Sequence, residues 1–288
     1  MTEITDRADV ARILADPRYR VPEPAAATAT SFDRFRAQVS RFANGALHEG
    51  RRARLEAMLA TLDLRTLADD AAARTRRMLG AEGVTLTAAW HVPVATLADA
   101  LGFPGPDDAP RLVAQVAGRY ATGRPSETGD AAIEESAIER LRAASGTDDD
   151  EADLRVQLLV QAYASTGALV IGAMRALAAS GDPGTSTHDL LHRTLRDDAP
   201  VPTTRRVGPD GRITVLRLDG PDRDATTEHE RRVLAFGDGP RRCPAPRHAL
   251  AIAGAIIDEL RRGPRRHPSG SSPADRPQIR GATRAHPS

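Results

Sequence analysis

The stretch FGDGPRRCPA runs from Phe236 to Ala245 and holds the one cysteine of the chain, Cys243. Gly237 and Gly239 make the loop pliable, Arg241 and Arg242 set two cations beside the thiol, and a helix signal begins just after it. That helix, over residues 247–262, places Leu250, Ala253, Ile256, Ile257 and Leu260 at helical spacing. Neighbouring cations and a helix N-terminus both favour thiolate over thiol, and thiolate is the form that binds metal. The glycines would let backbone amides approach the sulfur. Taken alone, a cysteine beside a basic turn reads more readily as a buried structural residue. Its surroundings decide.

Upstream, VPTTRRVGPDGRITVLRL (201–218) sets two β-branched runs around Gly208, Pro209, Asp210 and Gly211, which predicts a hairpin. Residues 188–197 predict a short helix. Residues 154–180 predict a long one, preceded by Asp148, Asp149, Asp150 and Glu151, acids suited to a positive helix N-terminus. Gly181, Asp182, Pro183 and Gly184 close it. Residues 107–153 look charged and irregular. Residues 84–103 start like a strand and turn helical from Ala95 to Leu101. Helical spacing also covers 32–62 and 64–79, and a first helix stops at Asp16 and Pro17 before a loop at 21–31. The tail from Gly263, rich in Pro, Ser, Gly and Arg, predicts disorder over 263–288. The expectation is one mainly α domain over 1–262 with a minor β-sheet.

Composition narrows the function. Forty basic and thirty-nine acidic residues give a net charge of +1, so no global field draws the chain to nucleic acid or to a membrane. One cysteine excludes a disulfide framework and a Cys-rich zinc module. The eight histidines are scattered and form no HExxH pair. The charged N-terminus lacks an apolar secretion signal, which suggests the cytoplasm. Residues 156–174 are uncharged and close to the roughly 20 apolar residues of a membrane span. Gln157, Gln161, Tyr163, Ser165 and Thr166 dilute that stretch, so a buried central helix is the expectation, with no membrane partner.

The cysteine loop resembles the haem-thiolate loop of cytochromes P450, with Phe236, Gly239, Arg241, Cys243 and Ala245 on motif positions. Further likenesses follow in the right order. ADVARILADPRYRV (8–21) is similar to that family's N-terminal helix and following strand. NGALHEGRRARL (44–55) resembles the helix whose His and Arg hold a haem propionate, here His48 and Arg52; their i, i+4 spacing puts both on one face. HVPVATLADALGFPGPD (91–107) and DAPVPTTRRV (198–207) continue the likeness, the latter making Arg206 a further propionate ligand. The resemblance implies a P450-like helical fold, shortened relative to the family, with haem b between the long central helix and the cysteine loop. Cys243 would be the metal ligand.

The family pattern breaks in three places. The chain is short, with gaps in 107–153 and before the cysteine loop. Alignment puts Arg196 at the Arg of the Glu-x-x-Arg pair but Arg193 at its Glu; Asp189, Glu228 or Glu230 would have to supply the carboxylate. On the central helix, Thr166 takes the oxygen-activating alcohol position while Ser165 replaces the usual acid. The resemblance implies a monooxygenase oxidising a small apolar or secondary-metabolite substrate with O2. Its electrons would come from a separate ferredoxin and ferredoxin reductase, since the chain has no GxGxxG fingerprint or cysteine cluster. Two alternatives stand beside it. One is a degenerate auxiliary protein that stabilises a partner enzyme, although such homologues typically lack the haem cysteine. The other is a haem protein with non-oxygenase chemistry.

Overall fold

A computed structural model describes residues 2–24, 30–82, 86–124, 130–220 and 233–263. The tail that was expected to be disordered lies almost wholly outside them, as do Glu228 and Glu230. Ten helices and a three-stranded sheet make up the described residues: α1 (Arg7–Ala15), α2 (Ser31–Gln38), α3 (Gly45–Ala60), α4 (Leu64–Glu82), α5 (Thr87–Ala100), α6 (Ala109–Thr122), α7 (Ala131–Ala144), α8 (Asp149–Ser180), α9 (Thr187–Asp197) and α10 (Pro246–Arg262), with β1 (Thr2–Ile4), β2 (Thr203–Val207) and β3 (Ile213–Arg217).

The central element is α8, 32 residues long and therefore about 48 Å at the helical rise. Asp148 caps it, its side chain accepting from Glu151 N at 2.9 Å, and Gly181 ends it in the left-handed conformation at φ 62°. It is long and apolar enough to cross a membrane, but 67% of its most apolar window is buried inside the protein. Helices α5, α6, α9 and α10 pack around it, so its apolar surface is spent on one core. That core holds Leu154, Leu159, Leu169, Ile256 and Ile257, among others.

The sheet has the order β1-β3-β2. The hairpin forms as expected: β2 runs antiparallel to β3, pairing Arg206 with Thr214. Gly208 N donates to Arg212 O at 2.9 Å to close the turn, with Gly211 at φ 76°. Strand β1 pairs in parallel with β3 and was not legible, because three residues carry no periodicity. A second, smaller apolar cluster of Val10, Ile13, Leu14, Leu216, Leu218 and Leu234 joins α1 to the sheet and to the approach of the cysteine loop.

Three local expectations are corrected. From Thr87 onward the segment read as a strand start is α5, buried on nearly all sides with Pro93 inside it; a short apolar run cannot separate a buried helix from a buried strand. Within 107–153, residues 109–122 and 131–144 are helical rather than irregular. They form α6 and α7, whose apolar stripes (Leu112, Val113, Val116 and Tyr120; Ile138 and Leu141) are hidden among charges. The helix expected over 32–62 breaks at Val39, where a 3-10 turn, Ser40–Phe42, separates α2 from α3.

Candidate functional site

Two tight turns build the cysteine loop. The 3-10 turn Leu234–Phe236 is closed by Gly237 N donating to Leu234 O at 2.7 Å. Gly237 then takes φ 69°, ψ −175°, a region essentially confined to glycine. A second turn, Gly239–Arg241, follows, with Asp238 Oδ1 accepting from Gly239 N at 2.6 Å. Cys243 N donates to Phe236 O at 2.7 Å and pins the loop at its neck. Ala245 is the N-cap of α10, and its backbone N–H lies near enough to the Cys243 sulfur to favour the thiolate. Gly239 has a different task from the expected amide approach to sulfur. At φ 62°, a Cβ there would lie 2.7 Å from Leu14 O and Ala15 Cα, so this glycine lets α1 rest on the loop.

The thiol corrects a second expectation. Burial pushes the Cys243 thiol up, outweighing the Ala245 N–H, Arg52 and Arg242, which pull it down. Without a metal the sulfur therefore keeps its proton. A bound metal ion inverts this logic, because it displaces the thiol proton outright.

The cations that were read from separate segments converge. Arg241 reaches from the loop to the start of α3, donating to Ala43 O and, at 2.8 Å, to Asn44 Oδ1. Asn44 also clamps Val21, accepting from its N and donating to its O at 3.0 Å each. One turn on, His48 is 7% exposed. Its pKa falls to about 4 through burial first, then through Arg241, Arg52 and Arg206. Arg206, 5% exposed on β2, is lowered to about 10 by burial, with Arg241 and Arg41 adding to it. Its hydrogen bonds go to Thr204 Oγ1 and Arg205 O, both at 2.9 Å. Arg52 does have an acid, Glu56, at 2.6 Å. Neither Arg206 nor Arg241 has a carboxylate within ion-pair distance among the described residues. The result is a partly buried pocket in which cations outnumber acids: Glu56 meets Arg52, and Glu23, which accepts from Asn44 Nδ2 at 2.7 Å, acts on Arg241 from beyond ion-pair distance.

On α8, Ser165 Oγ donates to Gln161 O at 2.7 Å, committing that hydroxyl to the helix backbone. Thr166 is 3% exposed, and its hydroxyl has no hydrogen-bond partner among the described residues. Gln157 Oε1 accepts from Ser40 N at 2.8 Å, and Gln157 Nε2 donates to Gln161 Oε1 at 3.2 Å, tying the turn before α3 to this stretch of α8. Asn44, Gln157 and Arg41 were not found by sequence reasoning; no local pattern marks them. The Glu-x-x-Arg pair is absent. Arg196 turns to the surface and pairs with Asp197 at 2.8 Å, and Asp189 accepts from Ser186 Oγ at 2.7 Å. A groove of about 710 Å³ between α4, α9 and α10 shares none of these site residues.

No family model and no curated protein matches the chain by sequence. Solved structures do match in fold, many of them cytochromes P450. CalO2 aligns with a TM-score of 0.72 at 14% identity over 90% of this chain and 82% of that one. P450BioI, in complex with an acyl carrier protein ligated to hexadec-9Z-enoic acid, gives 0.70 at 15% over 90% and 84%. The Tepidiphilus thermophilus P450 heme domain gives 0.69 at 17% over 90% and 81%. The chain has the cytochrome P450 fold.

Proposed function

We propose that the protein is a haem-thiolate protein of monooxygenase type, with haem b held by Cys243 and by the cationic pocket. The observation that carries the reading is the convergence of His48, Arg52, Arg206 and Arg241 with too little negative charge between them. Two propionates would supply that charge. The half-buried sulfur, with a backbone N–H and cations nearby, suits a metal-bound thiolate. Phe236, Gly239 and Ala245 shape the loop that presents it.

Haem, when bound, supplies the iron-centred oxidation chemistry. The protein would do the remainder. Cys243 would hold the metal, and the pocket cations would anchor the propionates. Thr166 would offer its uncommitted hydroxyl for proton delivery, with Ser165 committed to the backbone. The substrate would be a small, largely apolar molecule of secondary metabolism, and a ferredoxin with its reductase would bring electrons in the cytoplasm.

The test is the absorption spectrum of reduced, CO-treated protein purified with haem supplied. A red-shifted Soret band that is lost in Cys243→Ala is expected. Absence of any Soret band refutes haem binding. One observation favours a second reading, haem chemistry without oxygenation: no acid stands beside Thr166, and the serine there is spent. Turnover with peroxide but none with reductase would select it.

A further inference from the structure

A second group of cations lies beside the first and has a different character. Phe35, Phe42 and Tyr120, from α2, the turn before α3 and α6, form an aromatic box with ring centroids 5.7 Å (Phe35 to Tyr120) and 5.4 Å (Phe42 to Tyr120) apart. The Arg36 guanidinium stands 4.5 Å from the Phe42 ring centre. That of Arg41 stands 5.7 Å from Phe42 and 5.5 Å from Tyr120. Neither arginine forms an ion pair among the described residues. The acids nearby are engaged by Arg119, which meets Glu135 at 2.8 Å, Glu134 at 3.4 Å and Asp33 at 3.6 Å.

Two polar atoms in the box are buried without any partner: the Tyr120 hydroxyl and Arg36 Nε. Tyr120 is 3% exposed. An unsatisfied buried donor costs about 1–3 kcal/mol, so a protein that keeps two in one place has a use for them. Gly123, at φ 76°, adds a close fit. A Cβ there would come within 2.4 Å of Arg36 Nη1, so the end of α6 is shaped to admit that guanidinium.

We infer that Arg36, Arg41 and Tyr120 bind the carboxylate of an apolar organic acid. The hydroxyl of Tyr120 and the two guanidiniums would donate to its oxygens, and the aromatic rings would cover the carbon skeleton next to it. Charged hydrogen bonds of this kind are the strong ones; the buried Tyr120 hydroxyl is the least screened of the three donors, Arg36 is half-buried and Arg41 stands exposed at the edge of the box. The box adjoins the proposed haem pocket. Arg41 is close enough to Arg206 to help lower its pKa, and the backbone of Ser40, next to Arg41, donates to Gln157 of α8. Calling the acid a substrate rests on the haem reading above; the carboxylate site itself does not.

The experiment is calorimetric titration of the full chain, with haem supplied and without it, using decanoate and the neutral decan-1-ol as probes. Decanoate is expected to bind about tenfold more tightly than the alcohol. Tyr120→Phe should weaken decanoate about tenfold, leave the alcohol unchanged and hold or raise the melting temperature, because the lost hydroxyl had no partner. Arg41→Gln should weaken decanoate similarly, and Arg41→Lys should recover part of it. Equal affinity for both probes overturns the inference. So does a Tyr120→Phe protein that melts earlier with decanoate affinity intact, which would mark a packing role. Decanoate binding in a protein that shows no Soret band would uphold the carboxylate site and refute haem binding, so the two failures are distinguishable.

Discussion

At the scale of single residues, the site is governed by competition between burial and neighbouring charge. His48 shows the outcome most clearly, since its pKa lies near 4 against an ordinary value near 6.5. The folded protein therefore resists the proton that the unfolded chain takes up. The unfolded state binds more protons between about pH 6.5 and pH 4, so the stability of the haem-free protein rises with pH across that window. Urea unfolding from pH 4 to pH 7 should show this slope, and His48→Asn should flatten it. Haem propionates would pull the pKa of His48 back up and also shrink the slope. Arg206 leads to a further expectation. It is a buried cation with no acid within ion-pair distance among the described residues, so Arg206→Met should stabilise haem-free protein by about 1–2 kcal/mol. The same change should weaken haem retention by about tenfold or more, by loss of a charge-assisted contact. Marked destabilisation with unchanged haem retention would contradict this account.

At the scale of elements, close approaches place the site. Helix α5 comes so near α8 that a Cβ on Gly167 would fall 2.4 Å from Trp90 Cε3 and 3.0 Å from the Ala89 carbonyl. Gly167 follows Thr166 directly, so this contact sets the depth of the Thr166 hydroxyl in the core. Gly167→Ala should cost about 1–3 kcal/mol by overpacking, read as a lower urea midpoint at unchanged slope. If the site is intact otherwise, the variant should also show a shifted haem spectrum. The hairpin around Gly208 and Gly211, the long helix α8 with its Gly181 stop, and α10 after Cys243 were legible, but α8 starts five residues before the expected 154, because Asp149, Asp150 and Glu151, read as acids preceding the helix, form its first turn. Helices α6 and α7 were not, because charged residues on their exposed faces mask short apolar stripes. Strand β1 was too brief to show alternation.

At the scale of the whole molecule, one apolar core around α8 supports a fold whose site is assembled from segments far apart in the chain. His48 and Arg52 lie on α3, Arg206 on β2, and Arg241 and Cys243 in the loop before α10. A ligand gripping all of these binds only the folded state, and at a hundred times its Kd it would add about 2.7 kcal/mol of stability. Supplying haem should therefore raise the melting temperature of the protein, and Cys243→Ala should lose much of that gain. A melting temperature indifferent to haem would count against the pocket as its site.

The sequence alone determined that Cys243 sits in a glycine-turned, cation-flanked loop before a helix, and that His48 and Arg52 share a helix face. Those are local facts, fixed by spacing within a few turns of chain. Only the tertiary structure decided that burial raises the pKa of the thiol, that Arg196 faces water beside Asp197, and that Arg206 and Arg241 come close enough to His48 to lower its pKa. Burial and Coulomb interactions depend on distance in space, and Arg41 and Arg206 are brought near each other only when the sheet closes against the helices.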